Sequence, residues 1–255
     1  MSWAERERDF WDHHVPSLEE ALQVYGWAID DQVRALLELL GPLEGKRVLD
    51  FACGAGVLSA LAAARGAQVV GVDVSPVSIA RAKEVAAALD LDIDFRLAVL
   101  DEPPCPPGET FDLLLGRFAL HHLDLDRYLP VLAATLEPGG TAAFIETMAT
   151  NPLLRFARSH LVGRFGVKRL GTLDEHPLTR ADIDHIAREI GPVEIQVPYM
   201  ELARLVSRQA ITGNRFVDRV TNAIDDWLGR FPRLGWLSYH QVLIARKPIA
   251  APDQR

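Results

Sequence analysis

From residue 46 to residue 147, short apolar runs alternate with alanine-rich stretches of helical length, the rhythm of a parallel sheet with crossover helices. The runs lie at 47–51, 68–72, 93–98, 111–116 and 141–146, and segments 57–65, 77–89 and about 126–136 predict helices between them. A strand that returns parallel to its predecessor needs such a crossover, and the crossovers should be right-handed. About five parallel strands are therefore expected in the first 150 residues. Hydrophobic residues make up 49% of the 255-residue chain and charged residues 24%, material for one core with helical additions rather than two cores.

Outside this region the pattern is helical. Leu18, Leu22, Val24, Ile29, Val33, Leu36, Leu37 and Leu40 recur at near-helical spacing and stop at Gly41-Pro42, which predicts a helical segment over 18–40. After Glu146 the rhythm loosens, and 148–178 is helix-like but broken by Gly163, Gly166, Gly171 and Pro177. Thr179-Arg-Ala-Asp182 reads as a cap that opens a helix running to Ile190. A strand at 193–197, a helical insertion at about 199–231 and a last strand at 238–245 follow, the two strands forming a hairpin-like sheet edge. The chain thus divides, within a single domain, into a helical cover (1–45), a core (46–147), two lid insertions (148–178 and 199–235), and a C-terminal helix and sheet edge (179–198 and 236–248).

Charge and cysteine usage narrow the partners. A formal net charge of −8 argues against nucleic acid, which needs clustered Lys and Arg. The basic run Arg155, Arg158, Arg164, Lys168, Arg169 and Arg180 reads first as the solvated face of helices. Cys53 and Cys105 are the only cysteines, so no disulfide framework is implied and a reducing compartment is expected. The N-terminal Ala4-Glu-Arg-Glu-Arg-Asp9 is too charged for a signal peptide and no run has the length of a membrane span, so a cytoplasmic location is expected.

Chemistry concentrates where the first strand, Lys46-Arg-Val-Leu-Asp50, runs through Phe51-Ala-Cys-Gly-Ala-Gly56 into a helix. Glycines there let backbone approach a ligand, and the helix offers its N-terminal N–H groups. Asp73 ends the second strand 17 residues after Gly56, where a carboxylate can accept hydrogen bonds from both ribose hydroxyls of an adenosine. A dinucleotide site shows the same strand, loop, helix and acid. Asp50 discriminates: ahead of the glycines it would repel a pyrophosphate and attract the ammonium of an amino acid.

The string Val48-Leu-Asp-x-x-Cys-Gly-x-Gly56 resembles the first motif of the class I S-adenosylmethionine (SAM)-dependent methyltransferases. Asp73-Val-Ser-Pro76 is similar to their second-strand acid and helix start. Phe111-Asp-Leu-Leu-Leu-Gly-Arg-Phe-Ala-Leu-His-His-Leu123 is similar to their fourth strand and its exit, and Leu136-Glu-Pro-Gly-Gly-Thr141 to the turn into strand five, so the resemblance covers about residues 45–147. It implies a doubly wound, mostly parallel α/β sheet of seven strands, the last antiparallel, with helices on both faces. It also implies SAM as cofactor, bound by Asp50, Ala52, Cys53, Gly54, Gly56, Asp73, Val74, Leu100, Asp101, Gly116 and Arg117. Two positions depart from the pattern. Ala52 replaces the first loop glycine, at a place expected to need only a small residue. Asp101 lies one residue late for the adenine-side acid and reads equally as a substitute contact, with Leu100 on the ring, or as a turn before Glu102-Pro103.

For the methyl acceptor, a hydroxyl of pKa about 10 would gain about 10²–10⁴-fold from a base. His121 and His122 follow strand four at the ligand-collecting edge, His121 reading as that base or as packing and His122 as packing. Glu146 ends strand five and is expected either to serve the substrate or to pair with Arg155 or Arg158. Trp11, His13, His14, Tyr25 and Trp27 could form a cover over the site. Apolar lid residues, among them Leu153, Phe156, Phe216, Trp227, Phe231 and Trp236, suit an apolar or amphiphilic small molecule or a dimer interface, so monomer and homodimer both stay open. Asn151-Pro-Leu-Leu154 follows strand five, not strand four where amino-methylating enzymes carry Asn-Pro-Pro-aromatic, so nucleobase amino methylation is not expected. No paired metal-ligand constellation is evident, although His121, His122 and Glu146 could meet in space, so a metal is not expected. The leading expectation is SAM-dependent methyl transfer to a small metabolite, at oxygen. The alternatives are a protein, peptide or nucleic-acid methyltransferase, and a SAM-fold protein that binds or catalyses without methylating.

Overall fold

The aliphatic runs form seven strands: β1 (Arg47–Phe51), β2 (Gln68–Asp73), β3 (Asp94–Leu97), β4 (Phe111–Arg117), β5 (Leu136–Thr147), β6 (Val193–Gln196) and β7 (His240–Arg246). The computed structural model describes residues 3–26, 31–98, 102–160, 176–209 and 214–249. The strands make one sheet in the order β3-β2-β1-β4-β5-β7-β6. Pairing is parallel from β3 through β5, and β7 runs antiparallel to both β5 and β6. This is the seven-stranded arrangement the resemblance implies. The order reverses between β1 and β4, the place where a doubly wound sheet opens a crevice at its strand ends.

Around the sheet lie α1 (Trp3–His13), α2 (Leu18–Gly26), α3 (Asp31–Leu40), α4 (Val57–Ala63), α5 (Pro76–Ala88), α6 (Leu125–Thr135), α7 (Pro152–His160), α8 (Arg180–Glu189), α9 (Arg204–Gln209) and α10 (Arg215–Leu228). The segment expected as one helix over 18–40 is described as two helices, with 27–30 outside the described residues. α1 falls within the stretch expected as a helical cover (1–45), although Trp3–His13 is mostly charged and shows no long apolar stripe to mark it as a separate helix. β5 starts five residues early. Leu136 pairs with Phe111 and Thr141 with Leu113, so the stretch between them bulges from the ladder.

Strand alternation covers both faces. Val48, Leu113, Leu115, Ile145, Val242 and Ile244 meet Val33, Leu36 and Leu37 of α3 and Leu58 and Leu61 of α4. On the other face Leu49, Phe51, Leu114, Phe144 and Leu243 meet Leu129 and Leu132 of α6 and Ile186 of α8. Caps set where the helices begin. Ser75 accepts from Ser78 N with Pro76 in the first turn of α5, and Thr179 and Asp182 form the expected capping box on α8.

Gly56 precedes α4 with φ +77, and a Cβ there would sit 2.7 Å from the Phe95 ring and 2.9 Å from Ala82 Cβ. Gly56→Ala is therefore expected to cost about 2–3 kcal/mol. The check is urea unfolding, where the midpoint should fall at constant slope; an unchanged midpoint would contradict this packing.

Candidate active site

Because β1 is central, the side chain that follows Leu49 leaves the strand inside the molecule, and Asp50 is 1% exposed. Its Oδ2 accepts from Ser59 Oγ at 2.5 Å, in the first turn of α4. Burial pushes the Asp50 carboxyl up to about 7, repulsion from Asp73 adds to this, and the Ser59 bond opposes it only in part. Asp50 lines a cavity of about 380 Å³, so a cation placed there would relieve the carboxylate.

The loop after β1 takes left-handed conformations at Ala52 (φ 57), Gly54 (φ 52) and Gly56 (φ 77). Cys53 N donates to Val72 O at 3.0 Å and Gly56 N to Cys53 O at 2.9 Å, which pins the loop to β2. Burial pushes the Cys53 thiol well up, so it lines the cavity as a neutral group and is not a nucleophile. Across the loop, Asp73 Oδ2 accepts from Gly54 N and Oδ1 from Ser75 N, each at 2.9 Å. Burial raises the Asp73 carboxyl while these N–H groups oppose the rise. An ionised carboxylate has about four lone-pair positions, so capacity remains for two hydroxyl donors. That suits a ribose diol.

The cover over this cavity comes from the N-terminus. Ser75 Oγ donates to Asp12 Oδ1 at 2.5 Å and accepts from Ser78 N at 2.9 Å, tying α1 to the turn that carries Asp73. Trp11, His14, Val15 and Pro16 then line the cavity, and Trp11 meets the His122 ring edge-on at 5.7 Å.

The third wall is the exit of β4. Phe118 sits at φ 56, a strained place for an aromatic residue, with Arg117 Cζ 4.8 Å from its ring centroid and the His240 ring at 4.6 Å. Glu146, fully buried, holds the turn that follows: its Oε1 accepts from Ala119 N (2.9 Å) and Leu120 N (2.7 Å), and its Oε2 from His121 Nδ1 (2.7 Å). The His121 and His122 rings touch at 4.2 Å, tilted by 35°. Behind them stands a second pair, His240 Nδ1 at 2.6 Å from Glu201 Oε2, which also accepts from Gln32 Nε2 of α3 at 2.5 Å.

Asp50, Ala52, Cys53, Gly54, Asp73, Val74 and Arg117 all border the cavity. Gly56 and Gly116 instead make room for the Phe95 and Phe144 rings. Leu100 and Asp101 lie outside the described residues. His121 and Glu146 are brought together, but it is His122 that reaches the cavity. His13 faces out, its Nδ1 at 2.7 Å from Asp9 O, and the Trp27 and Tyr25 side chains lie outside the description. Leu153, Phe156, Phe216, Trp227, Phe231 and Trp236 are exposed and not among the residues bordering this cavity. Asn151 caps α7, accepting from Leu153 N and donating to Leu237 O, each at 2.9 Å. Among the described residues, no group of three or more His, Cys, Asp or Glu side chains is arranged to hold a metal ion, and no helix is long and apolar enough to cross a membrane.

Five residues carry contacts at or behind the cavity that the sequence does not announce as site residues. Ser59 was detectable as the one polar side chain in Val57-Leu-Ser-Ala-Leu-Ala-Ala. Asp12 and the Gln32–Glu201–His240 group join distant parts of the chain and carry no local signal.

A family model described as a methyltransferase domain matches residues 48–140. The chain is 37% identical over 158 residues to a ubiquinone biosynthesis O-methyltransferase of Rhizobium rhizogenes, covering 58% of this chain and 63% of the relative. It is 32% identical over 179 residues to the protein of the same name from Brucella melitensis, covering 69% and 67%. The chain therefore spans about half to two thirds of the length of these curated relatives. A geranyl diphosphate C-methyltransferase from Streptomyces coelicolor A3(2), solved with S-adenosyl-L-homocysteine bound, superposes at a TM-score of 0.63 over 98% of this chain and 99% of that one. At 13% identity that likeness is one of fold.

Ala52 corrects an expectation. The position asks for more than a small side chain, since φ 57 penalises any Cβ by about 1–2 kcal/mol. Ala52→Gly should stabilise the protein by about 0.5–1 kcal/mol after the greater freedom of glycine in the unfolded chain is subtracted. A lowered midpoint in urea would show that the loop does not hold this conformation.

Proposed function

The chain belongs to the class I SAM-dependent methyltransferases, and from that premise we propose that it methylates an oxygen atom of a small apolar or amphiphilic metabolite. The observation that carries the reading is the single cavity bordered by both Asp50 and Asp73. Asp50 calls for a cation such as an amino-acid ammonium, and Asp73 keeps lone pairs for a diol. These are the two polar ends of SAM. The relatives named as O-methyltransferases support oxygen as the acceptor atom. Trp11, Val15, Pro16, Phe118, Leu123 and Tyr128 give the rest of the cavity an apolar lining, which supports an apolar or amphiphilic acceptor.

SAM, when bound, supplies a methyl carbon open to in-line displacement from its sulfonium. The residues of the chain hold the two partners in line and exclude water, and positioning of that kind can supply roughly 7–11 kcal/mol. We assign the proton of the acceptor hydroxyl to His122, which borders the cavity at the exit of β4, whereas the Nδ1 of the other bordering histidine, His14, is taken up by Phe10 O at 2.6 Å. His121, the residue favoured for this role by its sequence position, acts through it: Glu146 fixes its Nδ1, and its ring packs against His122 at 4.2 Å.

Two outcomes follow from these assignments. An ammonium needs an ionised Asp50, whose carboxyl stands at about 7, so SAM binding below that pH releases a proton. Affinity should rise with pH and level off above about 7, weakening roughly tenfold between pH 8 and pH 6 by calorimetry. Asp50→Asn should bind weakly with a flat profile, and a flat wild-type profile would place the ammonium elsewhere. His122→Ala should lower kcat about 10²–10⁴-fold with little change in the KM for SAM. Wild-type turnover in that variant would remove His122 as the base.

A further inference from the structure

Helix α10 is built inside out. At 100° per residue, Phe216, Val220, Ile224 and Trp227 share one stripe, and that stripe faces solvent, Phe216 being 71% and Trp227 56% exposed. The polar side is the one that docks. Asp225, fully buried, accepts from the N–H groups of Leu202 (3.1 Å), Ala203 (2.8 Å) and Arg204 (2.9 Å), and so caps α9. Thr221, also buried, donates to Val217 O at 2.9 Å. Held by its polar residues, the helix turns outward the face that a surface helix ordinarily hides.

The exposed stripe does not end with the helix. Trp227 meets Phe231 edge-on at 5.2 Å, and Phe231 leads into a 3-10 turn, Pro232–Leu237, that exposes Trp236. Thr150 Oγ1 donates to Trp236 O and Asn151 Nδ2 to Leu237 O, each at 2.9 Å, which places the start of α7 beside this turn. α7 in turn exposes Leu153 (71%) and Phe156 (60%). Exposed apolar side chains therefore gather on α10, on the turn that follows it and on the start of the neighbouring α7, a grouping unlike the singly scattered apolar residues normal on a protein surface.

Charge identifies what the surface fits. The chain carries a net −8, yet Arg215, Arg219, Arg230 and Arg233 stand exposed along α10 and the turn after it. The acids of α10 offset this little: Asp225 is buried in its cap, the exposed Asp226 is neutralised by Arg204 at 2.5 Å, and Asp218 lies on the side opposite Phe216. α7 contains no acid. We propose that this surface lays the protein onto an anionic lipid bilayer, with the aromatic side chains in the headgroup region and the arginines on lipid phosphates. A second copy fits less well, because a two-fold contact through the same face would set the arginine row near its own copy.

Sedimentation of the 255-residue chain with vesicles tests this. Vesicles of equal parts phosphatidylcholine and phosphatidylglycerol should carry the protein down, pure phosphatidylcholine several-fold less, and high salt should release it. The pairs Phe216→Ser with Trp227→Ser and Arg219→Glu with Arg230→Glu should each lower partitioning about tenfold or more, with unchanged melting temperature and SAM affinity. No sedimentation of the wild type, equal binding to neutral vesicles, or wild-type binding by both variants would overturn the proposal. So would a wild type that runs at twice 28.2 kDa and becomes monomeric when Phe216 and Trp227 are replaced, since the surface would then bind a second copy.

Discussion

A carboxylate placed in a protein core without a matching cation is unfavourable, and Asp50 is such a group, answered inside the chain by the Ser59 hydroxyl. Its position follows from β1 being central, so the same sheet core that stabilises the fold places the charge where water does not reach. The surrounding parts accommodate this rather than remove it. Asp73 lies close enough to raise Asp50 further, and the loop between them bends through left-handed residues that keep both carboxylates at one cavity. Strain and unmet charge at one place, held by an ordinary core elsewhere, are what a pre-formed binding site looks like.

The walls of the cavity depend on contacts made across the chain. Glu146 takes two backbone N–H groups and one histidine, and so sets both the β4 exit and the ring contact that leads to His122. Phe118 persists at a positive φ because Arg117 and His240 pack against its ring and its N–H donates to Ile145 O at 2.8 Å. The Asp12–Ser75 bond brings α1 over the open side, coupling the N-terminus to the carboxylate turn. Ser75 thus joins this cover to the turn that carries Asp73, and Trp11 joins it to His122.

What was legible in the sequence was local. Strand periodicity, the glycine loop, the acid at Asp73 and the capping box at Thr179 are each written within a few neighbouring residues, and the sheet follows from them. Conformation was less legible: Ala52 looks harmless as a small residue and costly only once its φ is known. Which of two adjacent histidines meets the cavity depends on a turn fixed by Glu146, some 25 residues away. The stripe on α10 reads the same whether it faces in or out. Only the burial of Asp225 and Thr221 shows that the lid residues expected around the acceptor face solvent instead.

The central claim is that the cavity between Asp50 and Asp73 receives SAM. Calorimetric titration with SAM and with S-adenosyl-L-homocysteine, for the wild type and Asp73→Ala, tests it most directly. Saturable binding of both by the wild type, weakened about a hundredfold in Asp73→Ala as the ribose hydroxyls lose their acceptor, is the expected result. Failure of the wild type to bind either compound, or undiminished affinity in Asp73→Ala, would contradict the account.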